Sequence, residues 1–272
     1  MATDPTAAPD AARNSAPDFT VAYGDDPEQI VDVRLPAGAR ERPLVIYVHG
    51  GFWKVEWDRT HADAVVAALA RLGYATASVE YRRVGQPGGG WPGTLEDVEL
   101  AIAELPELVA VAIAERGGLP IDATRPILVG HSAGGQLVLW VGHRLGPAGT
   151  RGVVALAPVA DLMEAYQQGL GGGATARLLG GGPADVPDRY AAADPTANLP
   201  LGVPAIVVHG DLDEDVPVTF GERFVERARD SGDDVEMRRL LGVGHMALVD
   251  PSSAAWQHVT GAVDALSGPT AD

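Results

Sequence analysis

Short apolar runs of β character alternate with longer stretches of helical periodicity from about residue 30 to residue 265, and this alternation restricts the chain to a mostly parallel sheet covered by helices. Residues 19–23 and 30–35 read as two leading strands, expected to pair antiparallel. Residues 44–48, 75–79, 127–129, 153–157, 205–208 and 235–240 read as further strands. Between them, 61–72, 94 to about 115, 133–145, 218–229 and 252–266 read as helices. Gly73 sits where a helix C′ glycine belongs, and Thr94 with Asp97 nearly matches a capping box. The expected fold class is therefore α/β, with a mostly parallel central sheet, helices on both sides, and a small cap or none. A chain of 272 residues that is 46 % apolar can bury one substantial core, so residues 19–272 are read as a single domain. Residues 1–18 offer too little apolar surface to offset ordering entropy and are read as a disordered tail. The Gly- and Pro-rich stretch 161–200 breaks the alternation and leaves room for one or two short helices and a loop. It reads either as a surface excursion or as a partial cover for a site.

A formal charge of −17, from 20 basic and 37 acidic residues, argues against nucleic acid as a partner, because no basic stripe is present to displace counterions. The chain has no cysteine, which excludes disulfides, thiolate zinc sites and cysteine nucleophiles. No stretch resembles a signal segment or a membrane span, so the expectation is a cytoplasmic protein acting on a small molecule. Oligomeric state is not legible.

The sharpest motif is Gly130-His131-Ser132-Ala133-Gly134, a G-x-S-x-G placed between a predicted strand and a predicted helix. A serine on so tight a turn needs glycines two positions away on each side, and the turn lifts Oγ out of the sheet. The Ala133 amide then faces developing negative charge at a helix N-terminus. Such a serine needs a base to take its proton. Of seven histidines, His245 lies on a glycine-rich turn (Gly242, Gly244) after the last predicted strand, where a loop can carry its ring over the sheet edge. His61, His143 and His258 fall in helical patterns and read as packing or surface residues, and His209 reads as a residue shaping the acid turn. That turn, residues 209–217, offers Asp213 as the carboxylate that orients the imidazole, with Asp211 and Asp215 as alternatives. Asp215 also suits a helix N-cap.

The loop His49-Gly50-Gly51-Phe52-Trp53 follows the 44–48 strand, and the amides of Gly51 and Phe52 are the expected partners of Ala133 in an oxyanion hole. His49 reads as a hydrogen-bonder of that loop. Phe52, Trp53, Trp57 and Trp91 lie on loops at the same edge, and with His131 they are candidates to line a substrate pocket or to pack beneath the loops. Trp140 and Trp256 read as packing residues, and Arg82 and Arg83 as members of structural ion pairs or as partners of a substrate carboxylate.

These motifs together resemble the α/β-hydrolase superfamily over about residues 30–265, in the order Ser132, Asp213, His245. Within it the H-G-G-x-W loop and the G-H-S-A-G elbow resemble kynurenine-formamidase-like and carboxylesterase members. The resemblance implies hydrolysis of a small ester, an amide or an N-formyl group through an acyl-enzyme, with no metal and no organic cofactor. The same acyl-enzyme can instead pass its acyl group to another acceptor or close a ring. A non-catalytic binding module on this fold is the reading of a different class.

Overall fold

A computed structural model describes residues 16–36, 42–118 and 121–268; the expected tail lies outside them except for residues 16–18. Asp18 is held at the sheet edge, its N–H on Val33 O and its carboxylate under Leu35 N–H. The strands are β1 (Phe19–Ala22), β2 (Ile30–Arg34), β3 (Pro43–Val48), β4 (Thr76–Val79), β5 (Asp122–His131), β6 (Gly152–Leu156), β7 (Ala205–Gly210) and β8 (Val235–Leu240). They form one sheet in the order β1-β2-β4-β3-β5-β6-β7-β8, antiparallel at β1–β2 and β2–β4 and parallel from β4 onward. With its helical layers, this is the α/β-hydrolase fold.

The strand pleat explains why the central runs are apolar throughout. In β3, Leu44, Ile46 and Val48 point into one core while Val45 and Tyr47 point into the other. Helix α1 (Asp63–Arg71) and helix α8 (Trp256–Ser267) close the second core through Val65, Leu69, Val259 and Val263. Helices α2 (Gly93–Glu115), α3 (Ala133–Gly149) and α7 (Thr219–Asp230) close the first through Leu95, Leu137 and Phe224. No helix among the described residues is long and apolar enough to cross a membrane.

Two local expectations change. The near-match at Thr94 is not a cap, because α2 begins one residue earlier, at Gly93, and has no side-chain cap bond. Thr94 Oγ1 accepts from Gly90 N–H and donates to Arg82 O, while Asp97 takes the Arg82 guanidinium at 2.6 and 2.8 Å. Both side chains thus tie the loop after β4 to the helix, and Arg82 is a structural ion-pair partner as expected. The 127–129 strand is in fact ten residues long, because backbone pairing with β3 extends to Asp122, where the side chains are polar and hydropathy is silent.

The 161–200 stretch is more helical than expected. It holds α4 (Leu162–Gln167), α5 (Leu170–Leu179), α6 (Pro187–Ala193) and a 3-10 turn at Thr196–Asn198. The α5 segment opens on Gly171, Gly172 and Gly173 at φ 58°, 68° and 80°. A Cβ on Gly171 would lie 2.7 Å from the Phe52 ring, so this stretch rests on the loop after β3.

The parallel registers bring the strand ends level: Val48 pairs with Gly130, His131 with Leu156, Leu156 with Val208, and Gly210 with Leu240. Everything emerging from β3, β5, β7 and β8 therefore meets at one rim, the edge where open α/β sheets place ligands.

Candidate active site

Strand β5 runs straight into Ser132, which has φ 57° and ψ −118° before α3 starts at Ala133. Left-handed backbone at a residue with a Cβ costs of order 1–3 kcal/mol and persists only when its surroundings dictate it. They do so here by close approach. A Cβ on Gly134 would lie 2.1 Å from Val48 O, and one on Gly130 would lie 2.2 Å from Gly134 O. Ser132 N–H donates to Leu156 O at 2.8 Å, which anchors the turn to β6.

The turn after β7 presents Asp213. Its Oδ1 accepts the N–H groups of Asp215 (3.0 Å) and Val216 (2.8 Å). Its Oδ2 lies 2.6 Å from His245 Nδ1 and 3.3 Å from His209 Nε2. Burial by itself would push this carboxyl up, but the hydrogen bonds from His209 and His245 outweigh burial and hold it well below the usual carboxylate range. Facing a carboxylate, His245 Nδ1 carries a hydrogen, so in the neutral tautomer the lone pair is on Nε2. Asp211 instead accepts Gly242 N–H at 2.7 Å and shapes the β8 loop, and Asp215 stands exposed at the rim. Of the three acids, Asp213 is the one bonded to His245.

Asp213, Asp215 and His245 are also the one set among the described residues close enough to share a metal ion. A 2.6 Å Nδ1–Oδ2 contact requires a proton between the two atoms, so the set is a hydrogen-bonded pair with a neighbour rather than a ligand cage.

His131 supports His245 from beneath. The two rings lie 4.4 Å apart, and His131 Nε2–H donates to His245 O at 3.3 Å. Burial, then the nearby His245, hold the His131 imidazole well below its ordinary range, so the ring is neutral.

In the loop after β3, Gly51, Phe52 and Trp53 all have positive φ (104°, 51° and 57°), and the Phe52 and Trp53 rings meet edge-on with centroids 6.4 Å apart. Phe52 faces the site. Trp53 goes under the loop into the core, 0 % exposed, with its indole N–H on Gln136 Oε1 at 3.0 Å. Trp91 packs against the same core, its N–H bonded to Leu178 O at 2.7 Å. Neither reaches the substrate side, which corrects their candidacy as pocket residues. His49 is buried, stacked 4.4 Å over Tyr81, with Nδ1 2.8 Å from Gly50 O and Nε2 3.1 Å from Glu80 Oε1. The Gly50–Gly51 peptide is trans, so with its C=O turned to His49 its N–H points the opposite way.

A cavity of about 90 Å³ joins these parts, lined by Gly51, Phe52, Trp57, His61, His131, Ser132, Asp215, His245 and Met246. None of its lining comes from 161–200. A larger cavity of about 510 Å³ lies against that stretch, lined by Asp161, Glu164, Tyr190, Asp194 and Arg227 among others. It contains none of the serine, histidine or Asp213 groups, so chemistry favours the smaller one. His61 corrects the sequence reading. It belongs to a 3-10 turn (Arg59–Ala62) ahead of α1, sits edge-on to Trp57 at 5.0 Å, and faces the site. Asp58, whose carboxylate accepts Thr60 N–H, was the capping signal that marks where this turn begins. Met246 also went unseen, because nothing in its neighbourhood of the sequence distinguishes it.

Ser132 and His245 thus line one cavity, and Asp213 lies behind His245 at 2.6 Å. Comparison with known proteins agrees with the fold. The BD-FAE family model matches residues 31–227. Esterase LipC of Mycobacterium tuberculosis is 28 % identical over 254 residues, covering 83 % of this chain and 58 % of LipC. The chain thus spans less than two thirds of that relative. Esterase LipQ of the same organism is 34 % identical over 113 residues, 40 % of this chain and 25 % of LipQ. Among solved structures, a truncated carbohydrate esterase from gut microbiota superposes with TM-score 0.76 at 19 % identity, covering 94 % of this chain and 98 % of that one. A bacterial heroin esterase superposes with TM-score 0.70 at 23 % identity, covering 93 % and 84 %.

Proposed function

Because the chain belongs to the BD-FAE family, we propose that it is a carboxylic ester hydrolase that forms an acyl-enzyme on Ser132. His245 takes the serine proton through Nε2 and returns it to the leaving group, and Asp213 fixes the tautomer and stabilises the imidazolium. The amides of Gly51, Phe52 and Ala133 receive the oxyanion, each donor being worth about 3 kcal/mol in the transition state. One observation carries the reading: His245, held by Asp213 at 2.6 Å, lines the same cavity as a serine in left-handed backbone. The esterase titles of the relatives and neighbours support it.

The cavity supports a short acyl group. About 90 Å³ has room for an acyl chain of a few heavy atoms. A formyl group on an aryl amine is also small enough, and it is the second reading, tested by the same panel. The exposed Met246 at the mouth leaves an apolar rim for the leaving group.

The test is pre-steady-state hydrolysis of p-nitrophenyl acetate, with N-formyl-kynurenine and longer aryl esters alongside. A burst followed by slower turnover is expected, abolished in Ser132→Ala with the circular dichroism unchanged. Undiminished turnover in that variant would reject the proposal.

A further inference from the structure

One imidazole in the catalytic cavity has no part in the acyl-enzyme chemistry. His61 lines that cavity with Ser132 and His245, carried there by the Arg59–Ala62 turn. Its backbone is fixed, since Asp58 caps the turn and Asp58 O accepts His61 N–H at 3.1 Å. The ring is placed by packing alone, edge-on to Trp57 and with its centroid 6.4 Å from that of His131. The neighbouring histidines are bonded: His245 to Asp213, His131 to His245 O, and His49 to Gly50 O and Glu80. Neither ring nitrogen of His61 meets a hydrogen-bond partner among the described residues.

The ring is half-buried, and burial, then the nearby His49 and His245, hold its pKa below the ordinary value. A neutral imidazole brings one N–H and one lone pair. The cavity wall answers neither, because Phe52 and Met246 are apolar and His131 already donates its Nε2–H to His245 O. A polar atom facing such a wall gains free energy when a ligand supplies the missing partner.

We propose that His61 is a specificity-determining residue that hydrogen-bonds a hydroxyl on the acyl group, so that the preferred substrates are esters of short α-hydroxy acids. The placement selects the acyl side. Trp57, the neighbour of His61, closes the cavity next to Gly51, whose amide is proposed to receive the oxyanion, so a substituent on the carbon beside the ester carbonyl is the part of the substrate that meets His61. The small cavity keeps that acyl group short. A hydroxyl both donates and accepts, so it suits either nitrogen of a neutral ring. A methyl in its place would leave the imidazole unpartnered, and sites that hydrogen-bond a hydroxyl discriminate against analogues lacking it for that reason.

The inference rests on the proposed ester hydrolysis where a rate is measured, and not where binding is measured. Ethyl lactate and ethyl isobutyrate differ by a hydroxyl for a methyl on the same carbon. Their kcat/KM ratio, compared between proteins, cancels the intrinsic reactivity of the two esters. His61→Phe keeps a ring against Trp57 but has no nitrogen, and the lactate-to-isobutyrate ratio is expected to fall about tenfold. His61→Gln, whose amide supplies a donor and an acceptor, is expected to keep most of the ratio. In the full chain carrying Ser132→Ala, NMR titration is expected to show tighter binding of ethyl lactate than of ethyl isobutyrate, and adding His61→Phe to abolish the difference. A ratio unchanged in His61→Phe overturns the inference, including the case in which both esters slow alike. So does equal binding of the two esters to the Ser132→Ala protein, whatever the fate of the other variants. Preferential binding of lactate, with neither ester turned over by wild type, would speak against the proposed function instead.

Discussion

Replacing Asp213 by asparagine changes one atom, and the structure dictates which way the amide must sit. The Asp213 oxygen that accepts both Asp215 N–H and Val216 N–H can be replaced only by the asparagine carbonyl, because an NH2 there would face two donors. The NH2 must then occupy the place of Oδ2, 2.6 Å from His245 Nδ1. A donor at that place pairs with a lone pair on Nδ1, so His245 carries its hydrogen on Nε2, the nitrogen proposed to act as base. The imidazolium also loses its counter-charge. Together these effects cost about 10⁴ in kcat, or roughly 5 kcal/mol of transition-state stabilisation. Stability should fall as well, because the NH2 also faces His209 Nε2–H and the depressed carboxyl's contribution is lost, although His209 Nε2–H keeps Val216 O at 2.9 Å and the two backbone clamps survive. The assay is steady-state p-nitrophenyl acetate hydrolysis by Asp213→Asn, with urea unfolding of the same preparation. Turnover within tenfold of wild type would refute the assignment of Asp213 and the tautomer argument with it.

Trp57 walls the cavity on the Gly51 side, where a Cβ on Gly51 would lie 2.3 Å from Trp57 Cβ. Trp57→Ala should raise kcat/KM for octanoyl relative to acetyl esters about tenfold, the worth of roughly two newly buried methylenes at about 0.8 kcal/mol each; an unchanged ratio across the chain-length series removes Trp57 from the acyl wall. Asp194 accepts the N–H groups of Leu162, Met163 and Thr196, yet burial, with the nearby Asp161, pushes its carboxyl up to about 6. A raised folded-state value means its contribution is complete below the unfolded value of about 3.9 and is lost as pH rises through about 6, amounting to about 1 kcal/mol between pH 5 and pH 7. His61 and His131 are held low and slope the other way, so the quantity to read is the wild-type minus Asp194→Asn unfolding free energy at the two pH values. A difference that does not change with pH would show that Asp194 does not titrate there.

What the sequence disclosed and what it withheld follow one physical division. Central strands such as β3 and β6 are apolar on both faces, so their runs stand out, whereas the polar half of β5 is held by backbone pairing that hydropathy does not register. The elbow was legible because its close approaches to Val48 O and Gly134 O exclude side chains at residues 134 and 130, which writes glycine into the sequence. Asp213 was legible from its place between a strand end and a helix start, but its choice over Asp211 needed the 2.6 Å contact. Trp53 and Trp91 misled because a loop position does not say which way a ring turns: Trp53 is fully buried although its neighbour Phe52 lines the cavity. His61 was hidden by a 3-10 turn that continues the apolar pattern of α1 while turning the ring towards the rim. The Glu80–His49 contact joins the ends of two adjacent strands, a juxtaposition that only the sheet order reveals.

The central claim is that Ser132 is activated by its surroundings in the folded chain. Its most direct test is to treat native protein with a fluorophosphonate and locate the adduct by intact-mass and peptide-level mass spectrometry. A single adduct on Ser132, formed by folded protein and absent after unfolding or in His245→Ala, is the result expected. Folded protein that takes up no adduct, or carries it on another residue, would contradict the account.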